Sequence, residues 1–258
     1  MTTAGFYAWR RRGESAHAEQ DRLLTREIER LFAAHQERYG SPRLCELLRN
    51  AGWLVSRRRV ARLMRATGLR AKAVQGYRAK VKVHQLYARH PNRLWTTRVS
   101  AVNQVWVGDI TYLKVGGAWR YLAIVMDLYS RRIIAWSLTR NRTAAVTRKV
   151  LVQAARYREA RGVIFHSDRG SEYMGAPFCA QVAELGLLQS ASVRGPGDNA
   201  HAESFLHSLK AELTRGVTFP SNRALHRALS AYIHYYNATR LHSSLAYLSP
   251  LAFERRAG

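Results

Sequence analysis

The sequence predicts a mixed α/β domain preceded by a small all-α module. Three observations carry this reading. From Asn103 onward, apolar residues fall in strand-length runs, three in succession and then alternating with helical segments. Between Thr25 and Gly68 they recur instead at i, i+3, i+4, bracketed by helix-start and helix-stop residues. The charge is one-sided, 42 Lys plus Arg against 17 Asp plus Glu for a net of +25, so a polyanionic partner is expected.

The module spans residues 1–69. Its first helix, over 25–37, places Ile28, Leu31 and Phe32 on one face and is expected to end at Gly40. Ser41-Pro42 reads as an N-cap followed by proline at the first helical position; Leu44, Leu47 and Leu48 form the stripe, and Gly52 closes it. Ser56 should cap a third helix with Val60, Leu63 and Met64 inward and Arg57, Arg58, Arg62 and Arg65 outward, stopped by Gly68. This order matches a helix-turn-helix with a basic recognition helix, on which Arg57, Arg58, Arg59 and Arg62 are the DNA-binding candidates. A plain helical bundle with a solvated basic face is the alternative. The DNA reading is favoured because no acid occurs between Glu46 and Asp109 to offset so many arginines.

Residues 70–102 read as a basic linker, 103–215 as the core and 216–258 as a C-terminal helical extension. In the core, a strand from Gln104 to Val115 meets a hairpin signal at Gly116-Gly117, and strands over Arg120–Leu128 and Arg132–Leu138 follow. A helix from Thr143 to Arg161 shows Val146, Val150, Leu151 and Ala154 at helical spacing. Val163-Ile164-Phe165 then leads as a short strand into His166-Ser167-Asp168. A helix over 177–185 and a strand from Leu187 to Ser192 come next. After the loop Arg194-Gly195-Pro196-Gly197, Asp198 is placed to cap a helix carrying Glu203. Leu225, Leu229, Tyr232, Ile233 and Tyr236 mark an amphipathic helix over 221–239. Three meandering strands, then helix, strand, helix, strand, helix, is the order of a ribonuclease H-like fold.

Some classes are disfavoured. No apolar run approaches the ~20 residues of a spanning helix and the N-terminus lacks a signal-peptide stretch. The expectation is a soluble protein of the cytoplasm, associated with the nucleoid, with anionic membrane only a rival polyanion. Cys45 and Cys179 lie far apart with no Cys-x-x-Cys, which suggests buried thiols rather than a disulfide or zinc site. Trp119 and Trp136 are read as core residues and His166 as structural.

Three carboxylates stand out in this acid-poor chain: Asp109 mid-strand, Asp168 just past a short strand, and Glu203 on a helix. Each alone has a structural explanation, as a hydrogen-bonded core Asp, a turn residue and a surface Glu. Brought together they would repel, by roughly 3 kcal/mol per pair ~5 Å apart at an effective dielectric of 20. A divalent cation removes that cost and makes an all-oxygen metal site suited to phosphoryl transfer. Helical spacing puts His207 and Lys210 on the face of Glu203, so Lys210 can reach a phosphate near the metals. Asn199, one turn earlier, is a DNA-contact or helix-start residue.

The motifs Trp106-Val-Gly-Asp109-Ile-Thr, Asp127-Leu-Tyr-Ser-Arg-Arg132, His166-Ser-Asp168-Arg-Gly-Ser and Asp198-Asn-Ala with Glu203-Ser-Phe resemble one family. So do Gly5-Phe-Tyr-Ala-Trp9 at the start and the tail Tyr236-Asn237, Arg240, His242-Ser243, Leu245 and Ser249-Pro250. That family is the IS3-type insertion-sequence transposases, specifically the second-reading-frame product with its retroviral integrase-type core. The resemblance implies a DDE triad of Asp109, Asp168 and Glu203 binding two Mg²⁺ ions (Mn²⁺ can substitute), with Lys210 as the basic residue beyond the Glu. It implies nicking at the element's ends and strand transfer, acting on double-stranded terminal inverted repeats and target DNA within a homo-oligomeric synaptic complex. An upstream-frame protein is an implied partner. The Asp168–Glu203 separation is 35 positions, one short of the family's usual spacing, and the difference falls in the Arg194–Gly197 loop. The alternatives are a non-catalytic DNA-binding regulator of an active transposase and a plain ribonuclease H-type nuclease.

Overall fold

A computed structural model describes residues 2, 3, 7, 15–72, 90–159, 161–193 and 196–257. Most of the 70–102 linker, the Gly5–Trp9 motif apart from Tyr7, and Arg194-Gly195 in the shortened loop lie outside these residues. The chain divides into two compact units, Met1–Ala73 and Val74–Gly258.

In the first unit, α1 (Ala16–Ala34), α2 (Ser41–Asn50) and α3 (Arg57–Ala66) enclose a core of Leu24, Ile28, Phe32, Leu44, Leu48, Val60, Leu63 and Met64. The first helix begins nine residues before the expected start, where the Ser15 hydroxyl accepts from Ala18 N–H. Its early turns are polar and exposed, so no apolar stripe marked them. The helix stops not at Gly40 but where Gln36 and Glu37 adopt left-handed φ of 53° and 63°. Gly40 is instead the N-cap of α2, which moves Ser41 inside the helix. Ser56 caps α3 as expected, accepting from Arg59 N–H.

The second unit is a five-stranded sheet in the order β3-β2-β1-β4-β5, from β1 (Val105–Val115), β2 (Ala118–Asp127), β3 (Ile133–Thr139), β4 (Ile164–Ser167) and β5 (Leu188–Ala191). The first three strands run antiparallel, while β4 and β5 run parallel to β1. Val115 pairs with Ala118 across Gly116 and Gly117, both at positive φ, the two-residue primed turn that the twist of a hairpin favours. Alternation assigns the two faces. Val105, Val107, Ile124 and Met126 point toward α7 (Ala200–Leu209) and α8 (Asn222–Ala238), against Phe205, Leu209, Leu229 and Tyr236. Trp106, Ala123, Val125 and Phe165 point toward α4 (Ala144–Arg158) and α6 (Ala176–Glu184), with the short α5 (Ser171–Met174) alongside. Each large side chain so buried contributes about 1.5–3 kcal/mol.

Trp136 packs against the first of these clusters, but Trp119, expected in the core, is 50% exposed on the hairpin, edge-to-face with Tyr112. The end of the 70–102 segment is tied to this unit: Arg93 N–H donates to Ser190 Oγ and the Asn92 amide to Asp198. Two polar clusters fix the C-terminal part. The Glu254 carboxylate on α9 (Pro250–Ala257) accepts from Ser130, Arg132 and Arg158 at 2.5–2.7 Å. The Asn237 side chain makes two 2.9 Å bonds, to the N–H and C=O of Ile133 at the start of edge strand β3. Beyond α7, the chain makes a π-helical turn over Lys210–Thr214, in which buried Glu212 accepts from Arg240 at 2.7 Å and Tyr232 at 2.9 Å. Arg240→Ala should therefore strand a buried carboxylate and cost about 3–5 kcal/mol in urea unfolding; a loss below 1 kcal/mol would show that the pair is solvated.

Candidate active site

Strand register brings the two aspartates together. β1 and β4 are parallel neighbours with Val107 opposite His166; Asp109 lies two residues further along β1, and Asp168 two residues past His166, just beyond the end of β4. Adjacent strands are ~4.8 Å apart. Asp109 shares the face of Val105 and Val107, the one on which α7 packs and from which Glu203 is presented. The start of α7 is pinned there by Asn199, whose amide donates to Gly108 C=O at 3.0 Å.

Their electrostatics match that placement. Burial first, then the charge of Asp168, with Glu203 adding, raise Asp109 to about 7, against the pull of the Ile110 N–H and Arg142. Burial and Asp168 likewise raise Glu203. The Asp168 carboxylate accepts from Gly170 N–H at 3.0 Å. A Cβ at Gly170 would stand 3.0 Å from that same oxygen and 2.7 Å from the Glu172 carboxylate, so a larger residue would have to push both carboxylates aside. Burial lowers Lys210, while Asp109 draws it the other way; its ammonium lies 4.6 Å from the centre of the Tyr112 ring.

Gly108 explains why the strand bearing Asp109 has a gap in its apolar pattern. A methyl there would run into the Phe165 ring. Gly108→Ala is thus expected to destabilise by about 1–3 kcal/mol, since overpacking a rigid core forces strain; an unchanged urea midpoint would mean that the ring swings aside freely.

Other expected site residues divide. Asn199 is 4% exposed, stands at the helix-start position and donates its amide to Gly108. Asp198 does not cap α7: its carboxylate accepts from Val193 N–H and Asn92 instead. His166 is fully buried between Ser190 and Ser192, and burial lowers it to about 4, which leaves it neutral and structural. In the helical unit, Arg57 and Arg58 are exposed, but Arg59 donates to Asp21 at 2.8 Å and Arg62 to the same carboxylate at 2.5 Å. Asp21, from the unforeseen first turns of α1, thus meets two of the arginines of the acid-free stretch. Also missed was Glu172, buried and ion-paired with Arg142 beside Asp168. An acid four residues after Asp168 in so basic a chain was its only signal.

Comparison with known proteins identifies the lineage. The chain is 37% identical to "Transposase InsF for insertion sequence IS3A" of Escherichia coli K12, over 99% of its own length and 91% of that relative. It is 34% identical to "Transposase for insertion sequence element IS904" of Lactococcus lactis IL1403, over 95% and 98%. The chain belongs to the IS3-family transposases. Within this family member, residues 99–196 match an integrase core domain, 203–257 a second integrase core domain description, and 18–77 an HTH-like domain. The fold is that of a retroviral integrase. A simian T-cell lymphotropic virus intasome chain aligns at TM-score 0.54 and 16% identity, over 88% of this chain and 74% of that one. The HTLV-2 integrase catalytic core in complex with magnesium (trimeric form) aligns at 0.50 and 16%, over 61% and 99%. The ribonuclease H-like core and the helix-turn-helix-like region expected from the sequence are both borne out.

Proposed function

We propose that this transposase nicks and joins DNA strands by metal-dependent phosphoryl transfer, with Asp109, Asp168 and Glu203 as its DDE triad. The observation that carries the reading is the register of Val107 with His166, which sets Asp109 and Asp168 each two residues beyond a paired position and near enough for Asp168 and Glu203 to raise Asp109, with the Glu203 helix packed on the same face. Among the described residues, no three His, Cys, Asp or Glu side chains stand close enough to clasp one ion as they are. The donor chemistry nevertheless fits a hard divalent cation: three carboxylates, two of them raised by burial and then by the charge of Asp168. Two Mg²⁺ ions, or Mn²⁺ in their place, would supply charge neutralisation at the attacking and leaving oxygens.

The remaining tasks belong to side chains. Asn199 and Gly108 set the distance between α7 and β1, and therefore the reach of Glu203. Lys210 faces the same acids and neutralises a DNA phosphate there. Arg57 and Arg58 grip the backbone of the element's double-stranded terminal repeats; Arg62 shares that role only when released from Asp21, and Arg59 orients α3. Water attacks a phosphorus at the element end and the 3′-oxygen leaves as a hydroxyl. That hydroxyl then attacks a target phosphodiester, displacing the target's own 3′-oxygen, with no protein–DNA bond. A homo-oligomeric synaptic complex, with an upstream-frame protein, brings the ends to the target in the cell's nucleoid.

The test is purified protein with labelled element-end duplex and Mg²⁺ on a denaturing gel. Nicked and joined products that vanish with chelator are expected. Salt-sensitive binding without products, even with the upstream-frame protein added, would instead leave a DNA-binding regulator.

A further inference from the structure

Two sequence motifs have no part in the triad, and the fold brings them to one place. In Asp127–Arg132, the Asp127 carboxylate accepts from the N–H groups of Tyr129 and Ser130, both at 2.9 Å, and Arg131 N–H closes the turn on Asp127 C=O. This turn holds Arg131 at φ 63°, a conformation rare for a residue with a Cβ. Its side chain enters a cavity of about 80 Å³, opposite Arg240, His242 and Ser244 of the tail motif. Ser204 and Ser208 of α7 form a third wall. On a helix of 100° per residue these lie away from the Glu203, His207 and Lys210 face, so the cavity is behind the catalytic helix.

The charge inside is unbalanced. No Asp or Glu lines the cavity. Arg240 is already matched by Glu212, and Asp127 is occupied by backbone N–H groups including that of Asn103. The Arg131 Nη1 atom is buried, with no hydrogen-bond partner among the described residues. Burial accordingly lowers Arg131 from its ordinary value. A buried guanidinium N–H without an acceptor is costly, and an anion that accepts from it removes the cost. The cavity opens at the exposed Ser204 and has room for a small anion.

We propose that this cavity binds one tetrahedral oxyanion, a phosphate group, held by the Arg131 guanidinium and the hydroxyls of Ser204 and Ser208. Bound there, the anion joins the β2–β3 turn, α7 and the tail, and so steadies the helix that carries Glu203 from its far side. Free phosphate and a DNA backbone phosphate share this chemistry. The site stands independently of the strand-transfer reading.

The test is thermal unfolding of the full chain in inorganic phosphate against chloride of equal ionic strength, without divalent metal. Wild type should gain Tm with phosphate. Arg131→Gln should bind it about tenfold or more weakly, as loss of one charged hydrogen bond implies. Ser204→Asp, at an exposed helix position that tolerates the change, should abolish the gain by placing an acid at the cavity's mouth. A short duplex added under chelator separates the sources. If phosphate displaces it and both variants weaken it, the natural occupant is a DNA phosphate; if duplex binding is untouched, it is the free ion. No phosphate-specific rise in wild type, or the same rise in both variants, overturns the proposal.

Discussion

Glu203→Gln should abolish strand nicking and joining, by about three orders of magnitude or more, equivalent to ~4 kcal/mol of barrier. It should leave duplex binding within about twofold. Glutamine keeps the shape of the side chain and removes the charge, so α7, pinned at its start by Asn199, has no reason to move. A variant retaining a tenth of wild-type product would exclude Glu203 from the metal-binding set and direct attention to Glu172, the buried acid beside Asp168. Loss of DNA binding along with activity would mean instead that the substitution had disturbed the fold.

The second large effect is on stability, and its sign is counter to that of a salt-bridged acid. Asp109 is raised from 3.8 to about 7 in the metal-free fold. Between those values the native state holds a proton that the unfolded chain has released, so stability falls as pH rises from about 4 to about 7. At 1.36 kcal/mol per pH unit the loss is at most about 4 kcal/mol. Asp109→Asn keeps the acceptor for the Ile110 N–H and cannot ionise. It should therefore match wild type near pH 4 and be more stable at pH 7.5 without metal, the gap narrowing when Mg²⁺ is added to wild type. Urea curves for both proteins that ran parallel at every pH would sink the idea.

The sheet and the triad were legible for different reasons. Strands β1 to β3 show because one set of side chains meets α7 and α8 and the other meets α4 and α6, which imposes period two; Gly116-Gly117 then marks the turn. Asp109 and Asp168 show because an acid in or after an apolar strand conflicts with its surroundings. What sequence could not show is whatever depends on contacts distant along the chain. Asp21 meets Arg59 and Arg62 only once α1 and α3 have packed. Asp198 looks like a cap until Asn92 and Val193 claim it. Trp119 has core chemistry, yet its place near the hairpin tip leaves it half exposed, with Tyr112 against one edge. The π-turn at Lys210 has no residue signature, and the partner of its buried Glu212, Arg240, lies 28 positions away.

The paired bonds from Asn237 to Ile133 also bear on how copies of this protein avoid each other in a crowded cell. An edge strand offers its unpaired backbone groups to any passing strand, which is the first step of fibril growth. At the beginning of β3, one amide side chain already occupies the donor and acceptor that an intruder would use. Ribosomes that stop short of codon 237 would release a sheet with that corner open, so nascent and truncated chains are the ones prone to clump. The end of α8 thus also serves as a stopper against runaway polymerisation.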